Sequence, residues 1–345
     1  LRLGASGRFT GPAPSLQASS YQEQRIIKTP STQRNGASLS AEDDLRYRRR
    51  KYPRAYRHLS AYLMMTPAII LLIIFVIIPI LYCFYLSFHR WDGFNAPVFI
   101  GTRNYIRLIE RDDIFLKAVT NTIIFAISVV LVKNVLGLFL ALLVNQKIKG
   151  VVFFRTALFL PVTLSFVVIG LLWSWIYNPT FGLLNAGLEL LGLDSLIRAW
   201  LSDQATALGA IITVDIWKWT GFHMVLFLAG LQSIPMDLYE VAIIDGASAW
   251  TRLTRITLPL LAPVTFVSVL LSLNGAFVRN FELVFVMTDG GPNHTTEVVL
   301  THLVTQAFRF GKLGYASAMG FALFVVVAVI AFTYIRIGRS GAYNF

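Results

Sequence analysis

Glu240-Val241-Ala242-Ile243-Ile244-Asp245-Gly246, continued by Ile256-Thr257-Leu258-Pro259, is a polar, helix-favouring island between two long apolar runs. The runs on either side, residues 205–231 and 262–287, are each long enough to cross a bilayer, because a spanning helix needs about 20 mainly apolar residues. A short loop suffices to join two spans. A longer connection with carboxylates, a glycine hinge and two arginines (Arg252, Arg255) therefore reads as a docking surface for a soluble partner.

Working outward, the composition agrees with a membrane setting. The chain has 345 residues, 56% hydrophobic and only 14% charged, against about 25% charged in a soluble domain. Its formal charge of +12 is not spread as on a nucleic-acid-binding surface. Arg46, Arg48, Arg49, Arg50, Lys51, Arg54 and Arg57 sit together before the first apolar run, as expected of the cytoplasmic flank of a span. No basic stripe interleaved with base-stacking aromatics is present. The single cysteine, Cys83, supports neither a disulfide framework nor a thiolate metal site. Residues 1–40 are rich in Ser, Gly, Gln, Thr and Pro and cannot bury a core. The segment 1–58 is expected to be a disordered, basic cytoplasmic tail without a cleaved signal peptide, and 59–345 the transmembrane domain.

The expected fold class is all-α, with six transmembrane helices at about 61–88, 117–145, 152–176, 205–231, 262–287 and 315–337. These long continuous runs exclude a barrel of ten-residue alternations. Alternation puts the basic tail, Lys147 and Lys149, Arg252 and Arg255, and Arg336 and Arg339 on one side. That side is then cytoplasmic, with both termini inside. The outward loops become 89–116, 177–204 and 288–314, with Trp91, Tyr105, Trp200 and Tyr315 in or beside them and turn signals at Asn178-Pro179 and Gly290-Gly291-Pro292. Within the island, Pro235, Asp237 and Glu240 favour a helix start, Gly246 a turn, and Ser248 or Thr251 a second capped turn. Val241, Ile244 and Ala247 would form its apolar face.

The island resembles the EAA loop of binding-protein-dependent ABC importer permeases, here spanning 232–261. Glu240, Ala242, Asp245, Gly246, Ile256, Leu258 and Pro259 match that pattern, with Val241 in place of an alanine. Phe99-Ile100-Gly101-Thr102-Arg103-Asn104-Tyr105, Asn121-Thr122, Leu160-Pro161, Trp217-Lys218, Leu231-Gln232-Ser233-Ile234-Pro235, Thr288-Asp289-Gly290-Gly291-Pro292 and the run 307–316 are similar to the carbohydrate (maltose/glycerol-phosphate-like) branch of the family. Together they cover the chain from about residue 60 onward. The resemblance implies a type I ABC importer permease fold with a cytoplasmic coupling helix, in a bacterial inner membrane. It further implies a second homologous permease, cytosolic nucleotide-binding ATPase subunits docked at Glu240, Ala242, Asp245 and Gly246, and an extracytoplasmic solute-binding protein. The chain has no G-x-x-x-x-G-K-[ST] phosphate loop. No cofactor is expected in it, ATP and Mg being bound by the partner ATPase.

Ionisable residues within spans mark a pathway or a buried pair. Asp215, Lys218, Trp219, Phe222 and His223 fall on one helical stripe. Acid, base and aromatics on one stripe suit a sugar-binding wall; the alternative is an Asp215–Lys218 pair beside aromatics that merely pack. The span after the loop offers Ser272, Ala276, Arg279 and Asn280 as a second face, with Arg279 either facing solute or paired with Glu282. The resemblance to maltose-type permeases implies solute contacts on these two helices, with Ser272 and Asn280 corresponding best. Lys133 stands open between a pore or partner-permease contact and a pair within the bundle. Gly137, Gly170 and Gly221 suit close helix packing. His58, His89, His223, His294 and His302 lack ligand spacing, so no metal site is expected.

The leading expectation is thus a permease subunit, without catalytic residues of its own, of an ATP-driven importer for a sugar or related solute. An ion-coupled secondary transporter would need a buried carboxylate without a fixed partner. A membrane-embedded transferase would need converging carboxylates or a His/Asp cluster.

Overall fold

The structure, a computed structural model, describes residues 54–146 and 149–342, and side chains from Tyr62 onward except at 337 and 339–342. The expectations for most of the tail 1–58, for Lys147 and for the Arg339 side chain lie outside the described residues.

Internal contacts divide the chain into Leu1–Pro67 and Ala68–Phe345. The described part of the first unit is the opening of helix α1 (Arg54–Leu72), where Thr66 Oγ1 donates back to the Tyr62 carbonyl at 2.8 Å. In the second unit the helix passes through a wide π turn, Ile73–Ile77, into α2 (Ile78–Ser87). A two-residue hairpin follows, β1 (His89–Arg90) antiparallel to β2 (Val98–Phe99), with His89 opposite Phe99. Then come α3 (Arg103–Glu110), α4 (Asp113–Val144), α5 (Val151–Thr163), α6 (Phe166–Ile176), α7 (Leu183–Leu190) and α8 (Ala207–Gln232). The polar island forms α9 (Met236–Ile244), α10 (Ala249–Arg252), a π turn over Leu253–Thr257 and α11 (Leu258–Leu260). The last span before the final loops is α12 (Ala262–Asn274), a π turn over Gly275–Arg279 and α13 (Asn280–Met287); α14 (Val299–Val304) and α15 (Leu313–Ala342) are the last helices among the described residues.

Two of the π turns end two residues before a proline, Pro79 and Pro259. A proline lacks the N–H for its i−4 carbonyl and its ring crowds that group. Widening the preceding turn relieves both faults without ending the helix.

Among the described residues, five helical stretches are long and apolar enough to cross a membrane: Tyr62–Ser87, Asp113–Val144, Ala207–Gln232, Ala262–Met287 and Leu313–Arg336. The expected span at 152–176 is present but broken, and counting it as one gives six among the described residues. It is a pair, α5 and α6, bent by 103°. Pro161 near the end of α5 withholds a donor, Leu164 turns extended, and Ser165 caps α6 by accepting from the Val168 amide at 3.3 Å.

Helices α4 and α8 form the centre and run in the same direction. Phe125 and Val129 pack with Ile211 and Val214 at one end, and Ala141 and Val144 with Phe227, Leu228 and Ile234 at the other. At Gly221 a β-carbon would fall inside the contact radius of the Leu158 carbonyl oxygen, so α5 reaches α8 only because that position is glycine.

The loops 89–116, 177–204 and 288–314 meet the ends where α4 and α8 begin. Lys117 Nζ donates to the Asn293 carbonyl at 2.7 Å, Asn121 Nδ2 to the Glu297 carbonyl at 2.9 Å, and Tyr177 OH to the Ala210 carbonyl at 3.3 Å. The island lies at the opposite end, beyond the last turn of α8.

Candidate functional site

The stripe read on α8 divides among different neighbours. Asp215 pairs with Lys133 of α4, Nζ to Oδ2 at 2.8 Å, with both side chains buried. The alternative Asp215–Lys218 pair is therefore corrected. Lys218, 1% exposed, instead donates to the Pro161, Val162 and Leu164 carbonyls at 3.2, 3.4 and 2.5 Å. Those oxygens lie where α5 ends and the chain bends, and helix ends leave carbonyls without intrahelical partners. An ammonium with three donors satisfies them.

His223 enters a closed ring of hydrogen bonds that ties α8 to α4 and α12. Ser268 Oγ donates to Asn134 Oδ1 at 2.5 Å, and Asn134 Nδ2 donates to Ser272 Oγ at 3.1 Å. His223 Nδ1 lies 2.8 Å from Ser268 Oγ and Nε2 lies 3.2 Å from Ser272 Oγ. Since the Ser268 proton is committed to Asn134, His223 Nδ1–H must donate to Ser268 and Nε2 accept from Ser272. Every donor is used with a neutral imidazole. Asp215, Lys218, His223 and Ser272 are all buried and engaged by protein groups.

Trp219, Phe222, Arg279 and Asn280 stand apart. Trp219 and Phe222 are half-buried, with ring centroids 5.9 Å apart and edge to face. The Arg279 guanidinium is exposed and lies 5.2 Å over the Trp219 ring. Of the two alternatives open for Arg279, the pair with Glu282 does not form among the described residues, and Arg279 does not share the face of Ser272 and Ala276. The cause is the π turn Gly275–Arg279, which inserts a residue and turns Arg279 outward while Asn280 stays inward. Asn280 is 1% exposed, and neither its Nδ2 nor its Oδ1 has a partner.

In the island, Pro235 precedes α9, Gly246 makes the turn at φ +75°, and Ser248 Oγ caps α10 by accepting from the Thr251 amide at 3.1 Å. Ala242 is buried, whereas Glu240, Asp245 and Gly246 are exposed. Ile244 at 84% and Trp250 at 72% exposure project from the loop. Tyr239 OH and Thr257 Oγ1, 2.9 Å apart, pin α9 to the π turn behind α10.

One cluster escaped the sequence reading. Asp112 caps α4 by accepting from the Phe115 amide at 2.9 Å, and it also accepts from Tyr315 OH at 2.6 Å and lies 3.0 Å from His302 Nε2. Burial alone would raise its pKa, but the Tyr315, His302 and Phe115 hydrogen bonds outweigh that and hold it below the ordinary value. The three residues are 190 or more positions apart in two of the contacts, so no local spacing announced them.

Parallel central spans, a bent third span and a helical excursion at one end define a multi-pass, mostly helical membrane protein. Residues 133–339 match the family described as binding-protein-dependent transport system inner membrane component, and the chain belongs to that family. It is 38% identical over 283 residues to the probable ABC transporter permease protein YurN of Bacillus subtilis (strain 168), covering 81% of this chain and 96% of that one. It is 36% identical over 279 residues to the trehalose/maltose transport system permease protein MalF of Thermococcus litoralis, covering 81% and 93%. Among solved structures, it matches a bacterial ABC transporter involved in the import of the acidic polysaccharide alginate with a TM-score of 0.72 and 28% identity, covering 83% of this chain and 96% of that one. The expected importer-permease fold is thereby established. The chain is a multi-pass inner-membrane permease subunit of a binding-protein-dependent transporter and is not itself an ATPase.

Proposed function

We propose that this permease moves a sugar or related polyhydroxylated solute by alternating access, with both termini and α9–α11 on the cytoplasmic side. The observation that carries the solute assignment is Asn280. A buried carboxamide with no hydrogen bond costs on the order of 1–3 kcal/mol, and a solute hydroxyl would satisfy it. Trp219 and Phe222 offer aromatic faces for sugar C–H surfaces, and Arg279 offers donors beside them. Asp215, Lys218, His223 and Ser272 act in this reading by holding the wall that presents those groups. The trehalose/maltose permease among its relatives, and the solved alginate transporter captured with a pentasaccharide-bound periplasmic protein, support a carbohydrate cargo.

In the same reading a second permease completes the path and a solute-binding protein delivers cargo to the end where α4 and α8 begin. ATP and Mg are bound by separate subunits, which receive the exposed Ile244 and Trp250 while Glu240, Asp245 and Gly246 set the shape of the knob. The test is uptake by the assembled transporter carrying Trp219→Ala or Asn280→Ala, with subunit assembly measured alongside. Uptake and solute-stimulated ATPase should fall at least tenfold, about 1.4 kcal/mol, with assembly intact; unchanged kinetics in both variants would overturn the solute assignment.

A further inference from the structure

The end of the bundle opposite α9–α11 contains a cavity of about 1040 Å³ between the hairpin, α3 and the start of α15. Arg90, Arg103, Arg107, Arg111 and Lys312 line it, against a single carboxylate, Asp92. That carboxylate is turned to its own loop. It accepts from the Phe94 and Asn95 amides at 3.0 and 2.9 Å and from Asn95 Nδ2 at 2.7 Å. The hydrogen bonds from Asn95 and Phe94 hold its pKa at about 2. None of the five cations has an ion pair among the described residues. Arg107 lies 4.5 Å over the Tyr315 ring and Lys312 lies 5.1 Å over that of Phe310.

Two features point to what the cavity holds. Arg103, Arg107 and Arg111 recur every four residues and so share one stripe, a row of planar forks suited to phosphate oxygens. Beside that stripe Ile106 and Ile109 are 45% and 70% exposed, and in the hairpin Phe94 and Phe99 are 96% and 70% exposed. Cationic and apolar stripes side by side are what a helix lying in the membrane surface presents. Retention of basic residues on the cytoplasmic side does not account for this cluster, because under the orientation proposed above it faces outward. Nor does it share a lining residue with Trp219, Phe222, Arg279 and Asn280.

We propose that this cavity binds the phosphate headgroup of an anionic phospholipid at the membrane surface opposite the docking loop. The acyl chains would lie against Ile106, Ile109 and Phe99, and the lipid would brace the hairpin and α3 against α15.

The test is native mass spectrometry of the full chain in neutral detergent with equal phosphatidylglycerol and phosphatidylcholine. Wild type should keep phosphatidylglycerol in preference, including in excess inorganic phosphate, and Arg103→Gln/Arg107→Gln/Arg111→Gln should weaken retention about tenfold or more. Arg90→Gln/Lys312→Gln, which leaves α3 unaltered, should act in the same direction, whereas Arg252→Gln/Arg255→Gln at the other end should not. Equal retention of the two lipids, or variants indistinguishable from wild type, would overturn the proposal. Displacement by inorganic phosphate would make a free anion the ligand and overturn the lipid assignment.

Discussion

Lys133 of α4 and Asp215 of α8 form an ion pair 2.8 Å long inside the bundle, with side chains 3% and 4% exposed. Their partnership resolves Lys133 as a pair within the bundle and leaves Asp215 unavailable as the free carboxylate that an ion-coupled carrier would need. Breaking one side of a buried pair leaves an uncompensated charge, which costs about 3–5 kcal/mol, while replacing both by apolar residues of similar volume is often neutral. Lys133→Met and Asp215→Leu should each lower the thermal midpoint and yield of the assembled complex, and the double variant should recover most of the loss. Single variants as stable as wild type would show that the pair carries no structural weight.

Gly221 is a position where one methyl group decides how closely α5 approaches α8. Gly221→Ala should destabilise the complex by about 1–3 kcal/mol as α5 is pushed aside. Gly209→Ala, on the same helix with nothing within 4 Å of its β-carbon, should be neutral or slightly stabilising. Thermal unfolding of the two variants side by side separates close packing from helix propensity, and equal effects would refute the packing role.

The Asp112 carboxylate sets a pH dependence whose direction follows from its shift. Its folded pKa is depressed below the unfolded value of about 3.9, so its stabilising effect is fully present above that value. It is lost as pH falls through the folded pKa. Thermal midpoints should therefore drop as pH is lowered below about 4. Asp112→Asn should flatten that part of the profile while lowering stability at neutral pH. A profile of unchanged slope in the variant would assign the acid sensitivity elsewhere.

The turn at Gly246 gives the docking loop its shape. Its φ of +75° is closed to proline, whose ring fixes φ near −65°. Gly246→Pro and Glu240→Lys should leave the chain inserted in the membrane, and both should reduce co-purification of the ATPase subunit. Retention at wild-type stoichiometry would remove the loop from the interface.

Much of this architecture was legible because long apolar runs, the island at Glu240–Pro259 and the prolines act locally. What escaped the sequence lies in contacts between helices. The bend at Leu164–Ser165 did leave a trace in Pro161 and in Ser165 as a cap, but an unbroken apolar run hid it. Spacing left Lys218 open between a sugar-binding wall and a pair with Asp215, three residues away, yet its donors go to carbonyls 54 to 57 positions distant. Helical spacing placed Arg279 beside Ser272, and the extra residue of the π turn moved it to Trp219. The resemblance motifs Asn104-Tyr105 and Asn121-Thr122 also acquire a physical role. Asn104 Nδ2 donates to the Ser87 and His89 carbonyls at 2.8 and 3.0 Å, and Thr122 Oγ1 accepts from the Val299 amide at 3.1 Å.

The most direct test of the account is solute uptake by proteoliposomes containing the complete complex, with ATP held high and the proton and sodium gradients collapsed by ionophores. Uptake should continue at the wild-type rate and stop when ATP is withdrawn. Loss of uptake while ATP remains high would contradict an ATP-driven permease and restore ion coupling as the energy source.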